Sequence, residues 1–120
     1  MDKFSKNSEY DLEERTTKFS ESIIDFCKEC PKNIISIPLI DQLIRSATSI
    51  GANYHEANGA ASRKDFFNKI YLCKKEAKET MYWLQLIAKA EKSTQDPCRQ
   101  LWKEVHELVL IFSKITSRTK

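Results

Sequence analysis

The chain has 120 residues, 41% hydrophobic and 31% charged, enough to bury one core without disulfides or metals and too apolar for a disordered segment. Two glycines and three prolines are too few for the turns of an all-β domain, so the composition favours helices. The net charge of +3 is small, but residues 1–30 carry five Lys/Arg against eight Asp/Glu and residues 63–92 carry eight against four, which places any polyanion site on the second half.

No apolar run approaches the roughly 20 residues of a membrane span. The start, Met1 to Asn7, has no apolar segment of the kind a secretory signal needs. The expectation is a soluble, cytoplasmic chain whose four cysteines stay reduced. Residues 1–9 read as a flexible tail and residues 10–118 as one domain.

The first periodic stretch runs from about Tyr10 to Cys30, with Leu12, Phe19, Ile23, Phe26 and Cys30 at helical steps. Pro31 ends it. Residues 31–37 form a connector, and Pro38 suits the first turn of a second helix. That helix carries Ile40, Leu43, Ile44, Ala47, Ile50, Gly51, Tyr54, Ala57 and Ala61 on one stripe. Ser62, with Asp65 three residues on, caps a third helix that reaches about Lys92. Phe66, Ile70, Cys73, Ala77, Met81, Leu84 and Ala88 point inward from it. A loop over residues 93–97 offers Asp96 as cap and Pro97 as first residue of a fourth helix, which carries Leu101, Val105, Leu108, Phe112 and Ile115. The fold class is all-α: four amphipathic helices on short connectors predict an antiparallel up-down bundle.

Two faces lie outside that core. On the third helix Lys64, Lys75, Lys78 and Lys89 fall within an arc of about 60° opposite the core stripe. Tyr71 and Tyr82 interleave with them, and Arg63 extends the row at the helix start. Lysines neutralise phosphates and tyrosines stack on exposed bases, so the row is a candidate nucleic-acid surface; an ordinary solvated face gives the same pattern. Between the lysines and the core runs a second row, Leu72, Glu76, Glu79, Trp83 and Leu86. The second helix presents Gln42, Ser46, Ser49 and Asn53, flanked by Arg45 and Glu56, and these short side chains permit close approach of another element. Together the two rows predict a self-association surface, with Arg45 pairing Glu56, Glu76 or Glu79 across subunits. The other reading of the same residues folds Trp83 over the bundle edge and leaves the small polar face wet.

Cys27 and Cys30 have C-x-x-C spacing, but no second Cys/His pair follows to complete a zinc site, and no βαβ pattern supports a redox centre. A di-iron bundle needs Glu-x-x-His pairs, whereas Glu76-x-x-Glu79 lacks the histidine and His55 and His106 stand apart. There is no Gly-rich phosphate loop, G-x-S-x-G elbow or H-E-x-x-H. The expectation is a protein with no catalytic residues, metal or cofactor. A metal-dependent enzyme is the rival that elemental analysis would reveal.

The segment from Gln42 to Ala57, QLIRSATSIGANYHEA, closely resembles the signature Q-L-x-R-S/A-x-x-S-I-x-x-N-x-x-E-A/G of the four-helix-bundle family called the 23S rRNA intervening-sequence proteins. Ala61 to Phe66 resembles that family's small-Ser-x-Lys-Asp/Glu-Phe turn, and Lys75 to Leu84 its third-helix motif with paired glutamates. The resemblance covers about residues 12–115. It implies a homopentamer, often with a basic surface or pore, in a nucleic-acid context: some members are encoded within inserts of large-subunit ribosomal RNA genes. A related member, the accessory variability protein of diversity-generating retroelements, binds a reverse transcriptase and nucleic acid. The resemblance marks Arg45, Ser46, Ser49, Asn53, Glu56, Glu76 and Glu79, which the faces above assign to assembly. The function expected is a non-enzymatic accessory or scaffold protein that binds RNA or DNA. The alternative is an adaptor that binds a protein partner, such as a reverse transcriptase, without touching nucleic acid.

Overall fold

The computed structural model describes residues 11–119, so the N-terminal tail and Tyr10 lie outside the described residues. Four α-helices follow one another: α1 (Asp11–Glu29), α2 (Ser36–Asn58), α3 (Arg63–Ala90) and α4 (Gln95–Thr116). Short 3-10 turns cover Lys92–Thr94 and Ser117–Thr119. The 28 residues of α3 span about 42 Å at 1.5 Å per residue. The whole molecule measures 46 × 22 × 21 Å, so the helices run along its long axis and stand two deep in each other direction. No helix among the described residues is long and apolar enough to cross a membrane.

Leu12, Phe19, Ile23 and Phe26 of α1, and Cys30 just past its end, are all buried, as the periodicity predicts. Thr16 fills the remaining position of that stripe, its hydroxyl satisfied by donating to the Leu12 carbonyl at 2.8 Å. Gly51 of α2 faces it: a Cβ built there would lie 3.5 Å from Thr16 Cβ, an ordinary contact distance. The C-terminus of α1 is closed by Lys32, whose ammonium donates to the carbonyls of Cys27 and Cys30, both at 2.8 Å.

The second helix begins two residues before Pro38. Asn33 Oδ1 accepts from the backbone amides of Ile35 and Ser36, each at 2.9 Å, supplying the cap that the spacing alone did not reveal. Leu43, Ala47, Ile50, Tyr54 and Ala57 are buried. Ala61 is not part of the stripe: the helix stops at Asn58, and Ala61 is exposed in the turn that follows. Ser62 caps α3 as expected, its hydroxyl accepting from the Asp65 amide at 3.0 Å. Ile70, Cys73, Ala77, Thr80, Leu84 and Ile87 are buried on α3, while Phe66, Met81 and Ala88 are half-buried at its margins. The expected Asp96 cap is replaced: α4 starts at Gln95, after Thr94 turns its hydroxyl back to the Glu91 carbonyl at 2.6 Å. Pro97 still lies within the first turn, and Asp96 pairs with Arg99 instead.

The centre is Tyr54, Ile50 and Leu43 from α2, Ile70, Leu84 and Ile87 from α3, and Val105, Leu108 and Phe112 from α4, all almost solvent-free. The Tyr54 and Phe112 rings meet at 6.4 Å. α2 packs along both α1 and α3, and α3 along α4; α1 and α4 meet more sparsely. Across that last seam Arg15 grips Glu104 with two hydrogen bonds of 2.7 and 3.0 Å. Every buried side-chain nitrogen and oxygen of the described residues has a hydrogen-bond partner.

Candidate functional site

The 28-residue α3 holds the lysine row in line, because Lys64, Lys75, Lys78 and Lys89 all fall on the side opposite Ile70, Cys73, Ala77 and Leu84. All four are exposed, as are Arg63, Tyr71 and Tyr82. Tyr71 is 45% and Tyr82 53% accessible. Tyr71, Lys75 and Lys78 come together with Lys74, which sequence reasoning passed over, around a shallow depression of about 340 Å³. Lys74 is half-buried, and its place one residue before Lys75 puts it on the flank of the row rather than in it. Arg63 is drawn over the Phe67 ring, 5.0 Å from its centroid, which fixes the cation at the start of the helix.

The second row is less uniform. Leu72 is 38% exposed, whereas Glu76, Glu79, Trp83 and Leu86 are half-buried. The Trp83 indole N–H donates to Glu79 Oε2 at 3.1 Å and its ring meets Tyr82 edge-on at 5.1 Å. Glu76 makes no ion pair among the described residues; burial, with the Glu79 charge beside it, raises its carboxyl above the usual carboxylate value. On α2, Gln42 and Arg45 are exposed, and Arg45 pairs with Asp41 at 3.2 Å within its own helix. Glu56 is held by Lys69 of α3 at 2.7 Å, and that hydrogen bond pulls its carboxyl below the usual value. Ser49 donates to the Arg45 carbonyl at 2.7 Å and Asn53 to the Ser49 carbonyl at 2.9 Å, so this polar face satisfies itself. Ser46 lies apart from the others. It is buried in the α2–α3 seam, where it accepts from Thr80 at 2.9 Å and donates to the Leu43 carbonyl.

A groove of about 480 Å³ opens between α3 and the first half of α4, at the Lys89 end of the lysine row. Leu84, Ala88 and Trp102 line it, with Gln85, Lys89 and Arg99 at its edges. The Trp102 indole stacks on His106 at 5.0 Å with the planes 18° apart, which holds it in one orientation. Arg99 and Trp102 both belong to α4. Their i, i+3 spacing puts them on one face of α4, but only packing brings that face to α3.

The cysteines are all buried free thiols. Burial raises the Cys27 thiol to about 11 and the Cys73 thiol to about 12, and raises Cys30 and Cys98 in the same sense. His55 reaches Glu13 of α1 at 3.4 Å. Among the described residues no three His, Cys, Asp or Glu side chains converge in a way that would hold a metal ion.

The family model of the 23S rRNA-intervening sequence protein matches residues 8–114. The chain is also similar to the crystal structure of a protein with unknown function from the S23 ribosomal protein family of Bacteroides thetaiotaomicron VPI-5482. The two share 30% identity and superpose with a TM-score of 0.79, over 92% of this chain and 98% of that one. No curated protein matches.

Proposed function

Because the chain belongs to the 23S rRNA-intervening sequence protein family, we propose that it is a non-enzymatic cytoplasmic homopentamer of antiparallel up-down bundles, a nucleic-acid-associated accessory or scaffold that holds phosphate backbones on its Lys/Tyr row. Connector length supports the antiparallel course: the four residues 59–62 reach at most about 14 Å, far short of the helix length that a parallel return from α2 to α3 would need. The carrying observation for the ligand is the single exposed line of Lys64, Tyr71, Lys75, Lys78, Tyr82 and Lys89, with a depression beside Tyr71. Cations spaced along one rod neutralise successive phosphates, and the tyrosines between them offer faces for bases. Repetition of the row in an oligomer multiplies its effect without any new contact.

Assembly is supported by Leu72, Trp83 and Glu76, an apolar strip with a half-buried carboxylate that makes no ion pair among the described residues. Arg45 of a neighbouring subunit is the natural partner for Glu76, since its own bond to Asp41 is an exposed i, i+4 pair that is readily exchanged. Ser46 takes no part in this surface: it supports α2 from behind.

Light scattering on a sizing column, with and without a short mixed-sequence RNA, tests both halves. The expected mass is about five times the 14.0 kDa of one chain, rising with RNA at low salt and losing that rise steeply as salt increases. Lys75→Glu with Lys78→Glu should weaken RNA binding by roughly tenfold or more, through lost counterion release. Unchanged binding in that double variant removes the lysine row from the proposal. A pentamer that ignores RNA at low salt would make the surface a protein-binding adaptor, and a clean monomer would end the assembly reading.

A further inference from the structure

The groove between α3 and α4 has a composition that the lysine row lacks. Its apolar lining is Leu84, Ala88, Cys98 and the indole of Trp102, and two amides and two cations, Gln85, Gln95, Lys89 and Arg99, complete it. Flat aromatic ligands with an attached anion match that set. The ring takes the base, the amides read a base edge, and the cations take the phosphate, Arg99 exchanging its exposed pair with Asp96 for it. About 480 Å³ is room for one nucleotide and not for a duplex. Trp102 is already oriented by its stack on His106, so seating a base would order little that is not ordered in the free protein. Lys89 belongs both to this groove and to the exposed row on α3, so the two surfaces adjoin.

We infer that the α3–α4 groove is a pocket for one unpaired nucleotide of a single strand, its base against Trp102 and its phosphate between Lys89 and Arg99. This rests on the polyanion reading above and adds to it a point at which the strand's bases, and not only its phosphates, are felt. Single strands would then be preferred to duplexes, whose bases cannot leave the stack without cost.

Fluorine NMR of the full chain labelled with fluorotryptophan tests it, since the two tryptophans report on different surfaces. Adding a ten-residue oligoadenylate at low salt should shift the Trp102 resonance, assigned with Trp102→Phe, by more than that of Trp83. Arg99→Glu, a surface change that leaves the core untouched, should lower affinity for the single strand about tenfold while changing duplex binding less. Adenosine monophosphate alone should bind far more weakly than the oligomer. If RNA binds and Trp102 does not respond, the groove assignment is wrong and the lysine row stands. If no RNA binds at all, the polyanion reading fails and this inference with it. A change of solution mass in Arg99→Glu would show that a second copy occupies the groove, and monophosphate binding as tight as the oligomer's would show a small-molecule site; either result overturns the proposal.

Discussion

The thiols are the side chains that burial alters most. Cys73 lies at the centre of the α2–α3 contact, its Sγ donating to the Ile50 carbonyl at 3.5 Å. In the unfolded chain each thiol titrates near 9.0, whereas in the folded protein Cys27 holds its proton to about 11 and Cys73 to about 12. Between those values the unfolded chain binds fewer protons than the folded one, so stability falls as pH rises. Urea unfolding in reducing buffer should therefore give a constant midpoint below about pH 8 and a declining one from about pH 9 upward. Cys73→Ala should flatten that decline even though it lowers the plateau. A midpoint that does not fall above pH 9 would contradict the assignment. The same logic at Glu76 concerns the proposed assembly: if Arg45 of a neighbouring subunit pairs with its raised carboxyl, Glu76→Gln should lower the oligomer's resistance to dilution without unfolding the bundle.

At the scale of elements, the helices are defined by their ends. Asn33 carries more than a cap, because its Nδ2 also donates to Glu91 Oε2 at 2.6 Å and so ties the first connector to the end of α3. Asn33→Ala should cost about 1–2 kcal/mol, and Ser62→Ala, which removes a cap and nothing else, about 1 kcal/mol. Chemical denaturation of the two variants side by side checks both the sizes and the order. Gly51 points the other way. In a helix interior glycine is worse than alanine by about 0.5–1 kcal/mol, and the added methyl would meet Thr16 at 3.5 Å, an ordinary contact distance. Gly51→Ala should raise the unfolding temperature. A fall would mean that the α1–α2 approach is tighter than this distance implies.

In the whole molecule the weak seam is the one between α1 and α4. Its polar clamp, Arg15 to Glu104, is bidentate but about one-third exposed on each side, so Glu104→Gln should cost only about 0.5–1 kcal/mol and less at high salt. Phe112→Ala, by contrast, empties the centre against Tyr54 and should cost about 3–5 kcal/mol. The seam also contains an apolar hollow of about 600 Å³ beside Phe26, Cys30 and Leu101, so hydrogen exchange should find α1 opening before α2 and α3. Uniform protection across all four helices would refute that order.

Periodicity alone determined the four helices and nearly all of the core, because an amphipathic helix must turn one stripe inward whatever its neighbours are. It also determined the lysine row, since residues on a straight helix share a face by spacing alone. The Gln42–Ala57 signature identified the family from consecutive residues. Tertiary structure decided the rest. Asn33 became a cap through the turn of a connector, and Thr94 displaced the Asp96 cap by folding back on Glu91. Ser46 lay on the small polar face by angle, yet α3 covers that part of the face, and Thr80 makes it a buried hydroxyl. Ala61 fitted the stripe but fell beyond the helix end. The α3–α4 groove was illegible for the same reason: Lys89 and Trp102 are on different helices, and no local pattern records which faces of two helices will meet across a core.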